Sequence, residues 1–114
     1  MELCHIFEDI FLYHLMSHCL ETTPKLYINS LAFRAIRLLS DHDEKQGSKL
    51  IKLLSAYLYS ERNATATCNV MHMHRNTVLY NISKIESLLN INLDDNDVRI
   101  KLMLGLKAYY IGQF

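Results

Sequence analysis

Tryptophan is absent from the 114 residues, proline occurs once and glycine three times. So few turn formers exclude a β-rich fold built on many tight turns, and they leave helices free to run. Cysteine is confined to Cys4, Cys19 and Cys68. An odd count without framework spacing excludes a disulfide scaffold and points to a reducing, cytoplasmic setting. Long apolar runs are missing as well, so no segment approaches a membrane span. The opening MELCHIFEDI carries acids and no basic n-region, so it does not read as a secretory signal. Net charge is also lacking: 12 Lys and Arg balance 12 Asp and Glu. That balance excludes a broadly basic surface.

What is present is apolar and helically spaced. Half the residues are hydrophobic, enough for one compact core in a chain of this length. The expected fold is all-α, with about six helices in a single domain over residues 1–114. Leu3, Ile6, Phe7, Ile10, Phe11 and Leu15 predict an amphipathic helix ending before Thr22-Thr23-Pro24. This N-terminal segment, residues 1–24, is the candidate dimer contact. Lys25 to Ser40 repeats the pattern with Leu26, Leu31, Ile36, Leu38 and Leu39. The acidic run Asp41-His42-Asp43-Glu44 is expected to end that helix and cap the next. Ser48 to Tyr59 follows, with Leu50, Ile51, Leu54, Tyr57 and Leu58 inward. A last helix is expected over Val98 to Ile111, capped by Asp97.

The organising stretch is residues 63–89, within a core of residues 48–111. Ala64 to Met71 is a short helix led by Asn63, a good N-cap residue. A break follows at His72-Met73. A second helix runs from about Arg75 to Leu89, with Val78, Ile82, Ile85 and Leu89 on one stripe. Short helix, tight turn and second helix make a helix-turn-helix, whose second helix enters the major groove. The charges agree locally. From Arg62 to Ile85 there is no Asp or Glu, whereas Arg62, Arg75 and Lys84 are basic.

Asn63, Thr65, Thr67, Met71 and Met73 lead into His74-Arg75-Asn76-Thr77-Val78, Tyr80, Ile82, Lys84-Ile85-Glu86, Leu88-Leu89 and Asp94-Asp95. This string resembles the C-terminal helix-turn-helix of the PucR family of bacterial transcription regulators, and more loosely the Fis type. Leu39, His42 and Asp43 match the family's L-x-x-Y-D segment, with His42 in place of the tyrosine. The resemblance covers roughly Ala35 to Tyr110. It implies double-stranded DNA as partner. A homodimer is expected, because a two-fold dimer on a pseudo-palindromic site doubles a weak single-helix contact. Members carry a separate sensory region upstream; none is read here, so a fragment or stand-alone effector domain is expected.

The residues expected to contact DNA are His74, Arg75, Asn76, Thr77, Tyr80, Asn81 and Lys84. Arg pairs with guanine O6 and N7, and Asn with adenine N6 and N7, in bidentate fashion. Thr77 either caps the helix or binds phosphate. His74 or Asn76 is the competing cap, and Tyr80 either reaches the DNA or packs its ring inward. Cys68 is expected as a small buried side chain, and His72 as a residue tolerating positive φ in the turn. The sequence departs from the family at Leu79 and Asn81, where basic residues are common.

The alternative is a helical interaction module that kept the fold and lost most DNA binding. An enzyme is not expected, because no nucleophile–base pair, phosphate loop or paired carboxylates share a face. No cofactor is expected. His14 and His18, four apart, with Cys4 and Cys19, lack complete zinc spacing, so a metal site is not expected either.

Overall fold

The computed structural model describes residues 2–111, with side chains from Glu8 onward. Leu3, Cys4, Ile6 and Phe7 therefore lie outside the described side chains. Seven α-helices and no strand form among the described residues: α1 (Glu2–Thr22), α2 (Pro24–Asn29), α3 (Leu31–Gln46), α4 (Leu50–Tyr59), α5 (Ala64–Met71), α6 (Arg75–Leu89) and α7 (Asn96–Tyr110).

Three boundaries differ from expectation, each for a local reason. The single helix expected from Lys25 to Ser40 is split. Pro24 starts α2 at a position that tolerates proline, and Ser30 then leaves helical geometry at φ −68°, ψ 149°. The Ser30 hydroxyl donates to the Tyr27 carbonyl at 2.7 Å and accepts the Phe33 amide at 3.2 Å. One side chain closes α2 and caps α3. The seventh helix arises from this break.

The acidic run does not end α3, which continues to Gln46 and stops at Gly47, left-handed at φ 66°. Glycine takes that conformation without steric cost. The expected capping does occur. The Asp43 carboxylate accepts the amides of Leu50 at 2.7 Å and Ile51 at 3.1 Å. It therefore satisfies free donors at the start of α4 from the flank of α3. His42 Nδ1 lies 2.9 Å from the Ser48 hydroxyl, which donates to Asp43.

Asp95, not Asp97, caps α7, its Oδ1 accepting the amides of Asp97 and Val98. The loop before it is tied down. Glu86 Oε2 accepts the Leu93 amide at 3.0 Å, and Arg99 donates to the Leu93 carbonyl at 2.6 Å.

The core lies among α3, α4, α6 and α7. Ile36, Leu39, Leu53, Leu54, Val78, Ile85, Leu102 and Leu106 are fully buried within it. Helices α3 and α7 run in close contact at Gly105. A Cβ there would land on the Ala32 carbonyl oxygen and come within 2.9 Å of Ile36 Cγ1. By contrast, α1 and α2 leave Ile10, Phe11, Tyr13, Leu15, Leu20, Leu26 and Ile28 exposed. Beneath them an apolar cavity of about 310 Å³ is lined by Met16, Leu26, Tyr27, Phe33, Leu104 and Gly105, among others. Tyr27 itself is buried and packs on Phe33 with ring centroids 5.2 Å apart. Burial, with Cys19 adding to it, holds its phenol above the ordinary range. Among the described residues no helix is long and apolar enough to cross a membrane.

Gly105→Ala is a test of the α3–α7 approach. Better helix propensity favours alanine by about 1 kcal/mol. The clash is with a backbone carbonyl, which yields only if the helices separate, and overpacking of this kind costs about 1–3 kcal/mol. A net loss is expected, seen as a lower urea midpoint at unchanged slope. A midpoint equal to or above wild type would contradict the packing described.

Candidate nucleic-acid interface

The motif enters through a sharp reversal. Glu61 and Arg62 both take positive φ, 54° and 61°, and the Arg62 guanidinium meets Asp94 at 2.8 Å. That pair joins the entry of α5 to the loop leaving α6. Asn63 then caps α5 as expected, its side-chain oxygen accepting the Ala66 amide at 3.0 Å. Thr67 is the one wholly buried polar residue among those described. Its hydroxyl donates to the Asn63 carbonyl at 2.7 Å, which removes the cost of an unpaired buried hydroxyl. Cys68, expected as the small buried side chain, is only half-buried against the core. Its neighbour Thr67 takes that place.

The turn is made at His72, left-handed at φ 55°, ψ 42°. Histidine tolerates this geometry better than bulky or β-branched residues do. The next amide, of Met73, returns to the Cys68 carbonyl at 3.1 Å, and Met73 tucks against the core. His74 is the N-cap of α6, its Nδ1 accepting the Asn76 amide at 3.1 Å. Accepting there requires Nδ1 to be unprotonated. Of the two competing caps, His74 is the one used.

Helix α6 presents two unlike faces. Val78, Ile82 and Ile85 are buried. On the other side Asn76, Thr77, Tyr80 and Ser83 are exposed, and Arg75 is exposed at the start of the helix. Tyr80 is 69% exposed, so its ring does not pack inward. Among the described residues, the side chains of Arg75, Asn76, Thr77, Tyr80, Ser83 and half-buried Lys84 make no hydrogen bond or ion pair. Asn81 is placed differently. It is half-buried on the flank facing the start of α4, lining a groove with Ser48, Lys49 and Met73. Its amide donates to the Thr77 carbonyl at 3.0 Å. Glu86 is engaged with the Leu93 amide.

The structure therefore sorts the expected site residues. Asn76, Thr77, Tyr80 and Lys84 lie on or beside one open face, Arg75 and His74 stand at its leading end, and Asn81 lies on the α4 flank. Ser83 was not anticipated, although it stands seven residues after Asn76 and so shares its side of the helix. No acid stands between Arg75 and Ile85 to oppose a phosphate. His14 and His18 are exposed. No cluster of three His, Cys, Asp or Glu with metal-binding geometry forms among the described residues.

Residues 50–108 match the family model described as the PucR C-terminal helix-turn-helix domain. The chain is 33% identical over 64 residues to the purine catabolism regulatory protein of Bacillus subtilis, covering 56% of this chain and 12% of that protein. It is 31% identical over 71 residues to the proline-responsive transcriptional activator PutR of the same organism, covering 62% of this chain and 17% of that one. The chain thus spans less than a fifth of the length of these relatives. No solved structure matches it significantly. With its cap, left-handed turn and two-faced second helix in the matched region, the chain belongs to the PucR C-terminal helix-turn-helix family, a DNA-binding module of transcriptional regulators.

Proposed function

We propose that this chain reads a specific DNA sequence by seating the first two turns of α6 in the major groove. The observation that carries the reading is the open face of α6, whose polar side chains have no partner within the described protein. Arg75 supplies a bidentate contact to guanine and Asn76 one to adenine. Thr77 and Lys84 bind the backbone, with Tyr80 between them. His74 holds the leading turn by capping it, and its second ring nitrogen remains available to a phosphate. Asn81 joins from the α4 flank through the amide hydrogen and oxygen that its bond to the Thr77 carbonyl leaves unused.

The domain acts as a homodimer in the cytoplasm, as one end of a longer regulator. Zero net charge keeps the phosphate contacts of one subunit few, and a two-fold dimer doubles them. The exposed apolar face of α1 and α2, with Phe11 64% exposed and Leu26 69%, supplies the contact between copies. That face is separate from α6, so pairing leaves the groove-reading surface free.

Selection from a random duplex pool at low salt tests the reading. Wild type is expected to enrich a site with two-fold symmetry. Arg75→Ala is expected to lose about 1–3 kcal/mol and relax the preference at one position of each half-site. Lys84→Ala is expected to weaken all sequences alike and to lower the salt slope by about one. Binding without sequence preference would leave only backbone attraction. No binding by a folded sample would favour a protein-interaction module instead. Phe11→Glu is expected to shift the mass by light scattering to that of one chain while helix content is kept. A dimeric Phe11→Glu protein would place the contact elsewhere.

A further inference from the structure

The open face of α6 changes character along its length. Its first turn is polar, with Arg75, Asn76 and Thr77 exposed. In the second turn it becomes apolar, with Leu79 36% exposed and Tyr80 69%. Residues three and four apart on a helix are neighbours, so both flank Asn76, and Ser83 stands beyond them. No ionic side chain interrupts the stretch from Asn76 to Ser83. The core does not demand this exposure, since Val78, Ile82 and Ile85 already anchor the helix.

The major groove offers one apolar group at the base edges, the C5 methyl of thymine. An asparagine that reads adenine stands at an A·T pair, which carries that methyl on its other strand. We infer that Leu79 and Tyr80 read a thymine methyl in, or next to, the pair read by Asn76. The inference rests on the groove-binding reading above and names the base that the second turn selects. The occupant follows from continuity with that surface. A protein partner seated on Tyr80 would also cover Asn76, whereas DNA uses both.

The test uses the duplex enriched by the full chain, with each thymine replaced in turn by deoxyuridine. That change removes the methyl and leaves every hydrogen-bonding atom in place. One replacement in each half-site is expected to weaken wild type about fourfold, the effect of losing one buried methyl-sized group. The penalty is expected to shrink in Leu79→Ala and in Tyr80→Ala, both surface changes that leave the thermal midpoint near wild type. An enriched site in which every replacement is neutral would overturn this inference and leave the groove-binding reading standing. A penalty of full size in both variants would also overturn it, by assigning the methyl to another side chain. If no site is enriched, the groove-binding reading falls and this inference falls with it.

Discussion

The burial of one stripe of α6 is the constraint on which the rest depends. Val78, Ile82 and Ile85 belong to the core cluster, and α6 packs against α3, α4 and α5. A helix fixed along one side has its other side fixed in direction, so the orientation of Arg75, Asn76 and Tyr80 follows from core packing. The turn at His72 then sets the crossing of α5 and α6, and His74 sets where the second helix begins. Each of these devices decides which side chains α6 presents outward. Removing a core side chain here would act first on stability, because cavities cost about 2–5 kcal/mol for a lost leucine or isoleucine. Trimming the open face would act on recognition with little effect on the fold.

The central part of this arrangement was legible in the sequence because its signals are local and agree with one another. Asn63 as cap, the break at His72, the start at Arg75 and the inward stripe at Val78, Ile82 and Ile85 all follow from neighbours within a few residues. What was not legible depends on contacts across the chain or on competition between two local signals. Ser30 outcompeted the apolar periodicity that suggested one helix through Lys25 to Ser40. Gly47 outlasted the acidic run, because acidic side chains leave the backbone free to continue a helix, whereas Gly47 takes a left-handed φ. The same run still supplied Asp43 to α4, a bond that sequence spacing alone does not reveal. Likewise the choice of Thr67 over Cys68 as the enclosed residue depends on where α6 crosses α5. The placement of Asn81 on the α4 flank depends on the entire three-helix arrangement.

Electrostatics give a second view of the same surface. The chain is neutral overall, but its acids near the motif are engaged or set aside. Asp94 pairs with Arg62, Glu86 accepts the Leu93 amide, and Asp95 caps α7. The carboxylates thus stabilise the frame, and Arg75 and Lys84 are the two cations that α6 carries. Two cations per subunit give weak, strongly screened attraction. In the proposed reading, discrimination therefore comes mainly from short-range fit at the base edges, through Asn76, Leu79, Tyr80 and Ser83.

The N-terminal quarter follows a different logic. Helices α1 and α2 expose large apolar side chains and roof an apolar cavity rather than filling it. A monomer gains little from exposing so many large apolar side chains, and exposed apolar surface of this kind marks sites of association. A module with two cations on its reading helix gains a great deal from being joined to a second copy. Joined subunits present the second helix at high effective concentration once the first has bound. The two unusual features, a sparsely charged reading face and an exposed apolar end, are therefore complementary. The pairing proposed above would compensate weak single contacts and would use helices that do not pack against α6.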